Sequence, residues 1–150
     1  MYGSLLGAHR GHVPLAWDDD TDIGLDGDGR LKTLDKTKLF EKLKSVGAKE
    51  VIDKQSRDGL IKVLDKNSAF SVDLMIFERS GKWMKRPGWA SWLLYFHYNT
   101  FHKFPAKLVE QPLPKTQFGF FSISIPRDGN EVLKYLYPTD WWKVVKPPGC

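Results

Sequence analysis

The spacing of hydrophobic and polar positions changes several times along the chain, and each change marks an element. Ser4 to Arg10, entered through Gly3-Ser4, predicts a short helix. After the break at Pro14, Trp17 to Leu25 reads as an extended segment, and Asp26-Gly-Asp-Gly29 as a turn. Leu39, Phe40, Leu43 and Val46 then recur at helical spacing with Gly47 as the stop, which predicts one amphipathic helix. Three runs rich in Val, Ile, Leu and Phe follow: Glu50 to Asp53, Leu60 to Asp65 and Ala69 to Phe77. Arg57-Asp-Gly59 and Lys66-Asn-Ser68 separate them, and they predict strands of one sheet. Lys82 to Phe104 holds Trp83, Trp89, Trp92, Tyr95, Phe96, Tyr98, Phe101 and Phe104 with a period of neither two nor 3.6, so it predicts no element. Phe118 to Ile125 alternates like a strand that Pro126 ends. Val132, Leu133 and Leu136 mark a closing helix capped at Asp128 or Asn130.

Composition narrows the class. With 150 residues, 41% of them hydrophobic, the chain can bury one ordinary core, and a single domain over residues 1–150 is expected. A single cysteine, Cys150, excludes an internal disulfide and supplies too few thiols for a structural zinc site. No apolar stretch approaches the roughly 18 to 20 residues of a membrane helix, and the N-terminus lacks the order of a signal peptide. Met1 stands just ahead of a glycine-serine pair that ordinarily needs a supporting strand behind it, so a truncated N-terminus is expected. The net charge of +5 favours anionic partners in general.

Against that basic background, Asp18, Asp19, Asp20 and Asp22 lie in one run, Trp17-Asp-Asp-Asp-Thr-Asp-Ile-Gly24. Carboxylates that close repel unless a cation sits between them. On a strand, Asp18, Asp20 and Asp22 share a face and Asp19 takes the other, while Ile23 can face the core. Hard oxygen ligands suit Mg²⁺ or Mn²⁺, ions that clamp phosphate oxygens, so phosphoryl chemistry is the first expectation. An EF-hand calcium loop fits less well, because no glutamate follows at the required offset. Asp73 sits in the otherwise apolar run Ser71-Val-Asp-Leu-Met-Ile-Phe77 and calls for a cation or a metal. Gly3-Ser4 at a helix entrance can let backbone N–H groups approach phosphate, and Arg10, His9 and His12 could neutralise its charge. The aromatic segment reads as core packing, with a stacking platform for a base or sugar as the alternative.

Glycine-serine at a helix start, an acidic-x-acidic pair and a lone acidic residue on a neighbouring strand resemble the nucleotidyltransferase superfamily. Here these are Gly3-Ser4, Asp20-Thr-Asp22 and Asp73. More narrowly, Tyr2-Gly-Ser-Leu-Leu-Gly-Ala-His-Arg10, then Pro14, then the acidic run, resembles the LicD family, which includes fukutin and fukutin-related protein. Val72-Asp-Leu74, Pro126, Leu133, Tyr137 and Trp141 extend the likeness. It implies an α/β (α+β) fold, a nucleotidyltransferase-like mixed sheet flanked by helices. It implies transfer of a phosphorylated alcohol, such as phosphocholine or ribitol phosphate, from a CDP-linked donor onto a glycan or glycoprotein, with Mg²⁺ or Mn²⁺.

By the same resemblance Asp20 and Asp22 hold metal, Asp18 matches a further acidic position and is a candidate metal ligand or a residue that only orients one, and Asp73 either completes the metal shell or activates the acceptor hydroxyl. Gly3, Ser4 and Arg10 are the expected substrate contacts, and a Golgi or membrane-associated location is implied for a eukaryotic member. Two alternatives from the residues are a nucleotide-sugar glycosyltransferase and a non-catalytic carbohydrate- or calcium-binding module. Nucleic acid is not an expected partner, because carboxylates crowd the best cleft.

Overall fold

A computed structural model describes residues 1–67, 70–98 and 100–143. Helix α1 (Tyr2–Arg10) and strand β1 (Asp20–Asp26) come first. They are followed by the single turn α2 (Arg30–Thr33), helix α3 (Lys36–Ser45), β2 (Ala48–Lys54), the single turn α4 (Gln55–Asp58), β3 (Leu60–Asp65) and the long β4 (Ser71–Ser80). Then come β5 (Trp83–Lys85), α5 (Leu93–Tyr98), β6 (Lys103–Pro105), a 3-10 turn (Ala106–Val109), β7 (Lys115–Phe118), β8 (Phe121–Ser124) and α6 (Gly129–Leu136).

Strand β4 organises the sheet. The order β2-β3-β4-β5-β6 is antiparallel throughout, and β1 joins β4 in parallel. The two flanks of β4 follow from the alternation of a pleated strand: Ile76 donates its N–H to the Gly59 carbonyl at 2.8 Å, while the next residue, Phe77, accepts from the Gly27 N–H at 2.8 Å. This is the mixed α+β sheet flanked by helices that the resemblance implied. Among the described residues no helix is long and apolar enough to cross a membrane.

One face of β4 carries Ser71, Asp73, Met75 and Phe77, all buried. Met75 and Phe77 meet Leu60, Met84 and Phe104, and helices α1 and α6 close over them through Leu5, Leu6, Val132, Leu133 and Leu136. Full burial of an aliphatic side chain contributes about 1.5 to 3 kcal/mol, so these contacts fix α1, and with it Ser4, against the sheet. Caps set the helix starts. Asp35 accepts from the Thr37 N–H at 2.9 Å to begin α3, and Asp128, one of the two expected caps, accepts from the Glu131 N–H at 2.9 Å to begin α6. Gly59 and Gly88, both at positive φ, pass close together: a Cβ on Gly88 would strike the Arg57 carbonyl, and one on Gly59 the Pro87 carbonyl. The loop after β5 is thereby pressed onto α4.

Four expectations need correction. The alternating run Phe118 to Ile125 is not one strand but the turn and second arm of the β7–β8 hairpin, because Gly119 takes φ 58° and reverses the chain. Ile23 does not face the core; it is 43% exposed on β1, a strand paired on one side only. The helical stripe ends at Leu43, since Val46 lies beyond α3 and is exposed. Of the aromatic segment, Phe104 is buried, whereas Trp89, Trp92, Phe96 and Phe101 are exposed, so core packing does not explain it. Ala69, the expected first residue of its strand, and Cys150 lie outside the described residues.

Candidate active site

The parallel register sets Asp22 beside Asp73 and Asp20 beside Ser71, while β3 sets Lys62 on the other side of Asp73. Laterally paired residues project to one face of a pleated sheet, so Lys62, Asp73 and Asp22 form a row across three strands with Asp20 one step along. Carboxylate oxygens of Asp20, Asp22 and Asp73 all lie within 4.8 Å of one another. Asp22 is 9% exposed and Asp73 7%. Residues read separately along the sequence are thus brought into one cluster by a pairing between distant strands.

Helix α1 holds the outer side of β1. The Ser4 hydroxyl accepts from the Asp22 N–H at 2.8 Å, satisfying a backbone donor on the flank that no strand pairs, and the Met1 amine donates to the Asp22 carbonyl. A Cβ on Gly3 would collide with the Asp18 carboxylate. The glycine of the Gly3-Ser4 pair therefore makes room for a carboxylate of the acidic run, and the serine fastens the strand that carries it. Asp18 precedes β1 and lies against α1, outside the three-carboxylate cluster.

Burial raises the Asp22 carboxyl to about 7, and the charges of Asp20, Asp73 and Asp18 push the same way while the Met1 amine opposes them. Asp20 is raised first by burial, then by Asp73, with Lys62 acting against. Asp18 is raised by burial and by Asp20 and Asp19. Crowded carboxylates of this kind hold protons in place of a cation. Asp73 Oδ1 is buried 3.1 Å from Lys62 Nζ, yet the geometry falls short of a hydrogen bond, leaving its lone pairs directed at no donor. A hard divalent ion fits that donor set: three carboxylates, all oxygen, one with a buried oxygen that accepts no hydrogen bond.

A cavity of about 1370 Å³ runs along the outer edge of β1 to the hairpin, bordered by Ser4, Asp22, Asp28, Arg79, Phe118 and Phe121 among others. Arg79, which the sequence reading passed over, reaches it from the end of β4 and lies 3.4 Å from Glu110. Lys62 was also passed over, although a lysine among the buried positions of Leu60 to Asp65 was its signal. Arg10 is at the far end of α1 from Ser4, and its Nη2 donates to the Trp141 carbonyl at 2.7 Å. That position serves to fasten the helix end and does not support a phosphate contact. His12 lies 3.1 Å from the Thr116 hydroxyl, again away from the carboxylates.

A mixed sheet, a glycine-serine helix entrance and three converging carboxylates on adjacent parallel strands make a nucleotidyltransferase-type domain. The family model described as LicD/FKTN/FKRP, nucleotidyltransferase domain, matches residues 1–128, and the chain belongs to the LicD family. No curated protein matches it. Membership implies a transferase of the phosphotransferase type that modifies glycans.

Proposed function

We propose that the chain transfers a phosphorylated alcohol from a CDP-linked donor to a hydroxyl of a glycan, within one domain, with a divalent ion held by Asp20, Asp22 and Asp73. The observation that carries this reading is the approach of those three carboxylates across the β1–β4 pair. When bound, Mg²⁺ or Mn²⁺ would neutralise charge on the donor's phosphate oxygens.

The remaining work belongs to the chain itself. The acceptor oxygen forms its bond to the donor's phosphorus as the bond from that phosphorus to CMP breaks, and the hydroxyl proton passes to a carboxylate. Asp73 is placed to take it, because it lies in the cluster and its Oδ1 accepts no hydrogen bond. Ser4 keeps Asp22 in register with Asp73 through the backbone, and Arg79 adds positive charge to the cavity where the donor's phosphates would lie.

The test is turnover of CDP-choline, CDP-ribitol and CDP-glycerol with either ion. Asp20→Asn and Asp22→Asn are each expected to fold and to lose activity by a factor on the order of 10² or more. Full turnover in both variants rejects the site. Turnover of nucleotide sugars alone, indifferent to Asp73→Asn, would point instead to a glycosyltransferase.

A further inference from the structure

We propose that the aromatic segment around α5 is a docking face for an anionic membrane surface. Residues 82–109 hold five Lys and Arg and no Asp or Glu, while the other 18 Lys and Arg are matched by the chain's 18 Asp and Glu. The whole net charge of +5 is therefore carried by this one segment. The same segment exposes Trp89 at 66% and Phe96 at 76%, with Trp92, Leu93, Tyr95 and Phe101 also exposed. Apolar surface gathered into one patch on a folded domain marks an interaction site.

The rings are continuous with one another and with the cations. Phe96 packs edge-on against Trp92 at 5.8 Å and Tyr95 at 6.0 Å, and Tyr95 stacks on Phe101 at 4.4 Å. Lys103 Nζ lies 5.5 Å from the Phe101 ring, which joins the patch to the charged strands. On the β5–β6 pair Lys103 is the direct partner of Lys85, and like charges set opposite one another destabilise a sheet. A negatively charged surface laid against them relieves that repulsion. Lys82, Lys85 and Lys107 are exposed and free to meet it.

The chemistry selects a bilayer among anionic partners. Trp and Tyr settle at the level of lipid headgroups, and Lys stems lie along apolar surface while their ammonium groups reach phosphate. Protein interfaces, by contrast, are depleted in Lys. Nucleic-acid bases need open ring faces, yet Tyr95 and Phe101 lie 21° from parallel and cover one another. Helix α5 has six residues, against the roughly 20 of a membrane span, so it lies in the interface plane. Docking here leaves the carboxylates accessible, because none of Lys85, Arg86, Trp92, Phe101 and Lys103 borders the cavity that Ser4 and Asp22 reach.

The experiment is cosedimentation of the full chain with phosphatidylcholine vesicles, with and without phosphatidylserine, in EDTA so that no divalent ion bridges carboxylates to headgroups. The chain is expected to sediment with the phosphatidylserine vesicles, to be released by high salt but not by soluble glycerophosphoserine, and to shift its tryptophan emission to shorter wavelength on binding. Lys82→Ala/Lys85→Ala and Trp92→Ser/Phe96→Ser are each expected to weaken binding roughly tenfold or more, with the melting temperature of wild type by circular dichroism. Asp20→Asn, which should lose transfer, is expected to bind vesicles no less tightly than wild type, so this face is judged separately from the reaction. The proposal is overturned by an absence of sedimentation, by equal sedimentation with pure phosphatidylcholine, or by folded double variants that bind normally. A lipid-free dimer that Trp92→Ser/Phe96→Ser dissociates, or binding of single-stranded RNA that the same variant abolishes, also overturns it and gives the face to a second copy or to nucleic acid.

Discussion

Replacing Asp22 with asparagine should make the metal-free protein more stable while disabling it. Burial lifts the Asp22 carboxyl from 3.8 to about 7 in the fold, so the folded chain holds this proton more tightly than the unfolded chain. Its destabilising contribution is absent below the ordinary carboxyl range, grows as pH rises from there, and is complete above about 7. At about 1.4 kcal/mol per unit the full effect is on the order of 4 kcal/mol, or about 10 °C in the melting temperature of a chain this size. The Met1 amine, lowered by burial to about 6, acts in the opposite sense: its contribution rises with pH between about 6 and its ordinary value of 8.0. Comparing wild type and variant at the same pH removes most of that background. The substitution keeps the bond to Ser4, because the donor at position 22 is the backbone N–H. The assay is thermal unfolding in EDTA at pH 4 and pH 8. The variant should melt several degrees above wild type at pH 8 and together with it at pH 4, and added Mg²⁺ should raise wild type alone. Equal melting at pH 8, or a less stable variant, refutes the account of Asp22.

Gly3→Ala places a methyl group against the mobile end of the Asp18 side chain, so it should move that carboxylate and change stability by no more than about 1 kcal/mol. Turnover should fall, and Gly3→Ala/Asp18→Ala should be no worse than Asp18→Ala alone; additive losses in kcat would contradict a shared cause. Arg10→Ala should lower the melting temperature through loss of the Trp141 tether and leave KM for the CDP-linked donor unchanged, which steady-state kinetics checks. Lys62→Met removes the cation beside Asp73. Without that competing charge, divalent-ion affinity by calorimetry is expected to rise or hold, and a drop of tenfold or more would show that Lys62 supports the site in some other way.

What could be read from the sequence was local chemistry carried on a local period. The acidic run, Asp73 in its apolar strand, the helix entrance at Gly3-Ser4 and the cap at Asp128 each announce themselves within a few residues. Pairing does not. That β1 lies parallel to β4 with Asp22 beside Asp73 depends on contacts between distant segments, and so does the exposure of Ile23, which local alternation assigns to the core. Arg10 carries no local sign that a carbonyl at Trp141 will engage it. Phe118 to Ile125 has the alternation of a strand, and only the positive φ at Gly119 divides it. The aromatic segment defeated periodicity for a physical reason: it is two short strands and a one-to-two-turn helix, too brief for either period to establish itself.

Because the carboxylates come from strands joined by a parallel pairing between residues as distant as Asp22 and Asp73, ion binding cannot precede the long-range collapse that brings those strands together. A partly folded chain with β1 detached offers separated acidic groups of ordinary affinity. On the proposed reading, loading with a divalent ion would report completed assembly of the sheet, and the ion would draw the population toward that assembled state by mass action.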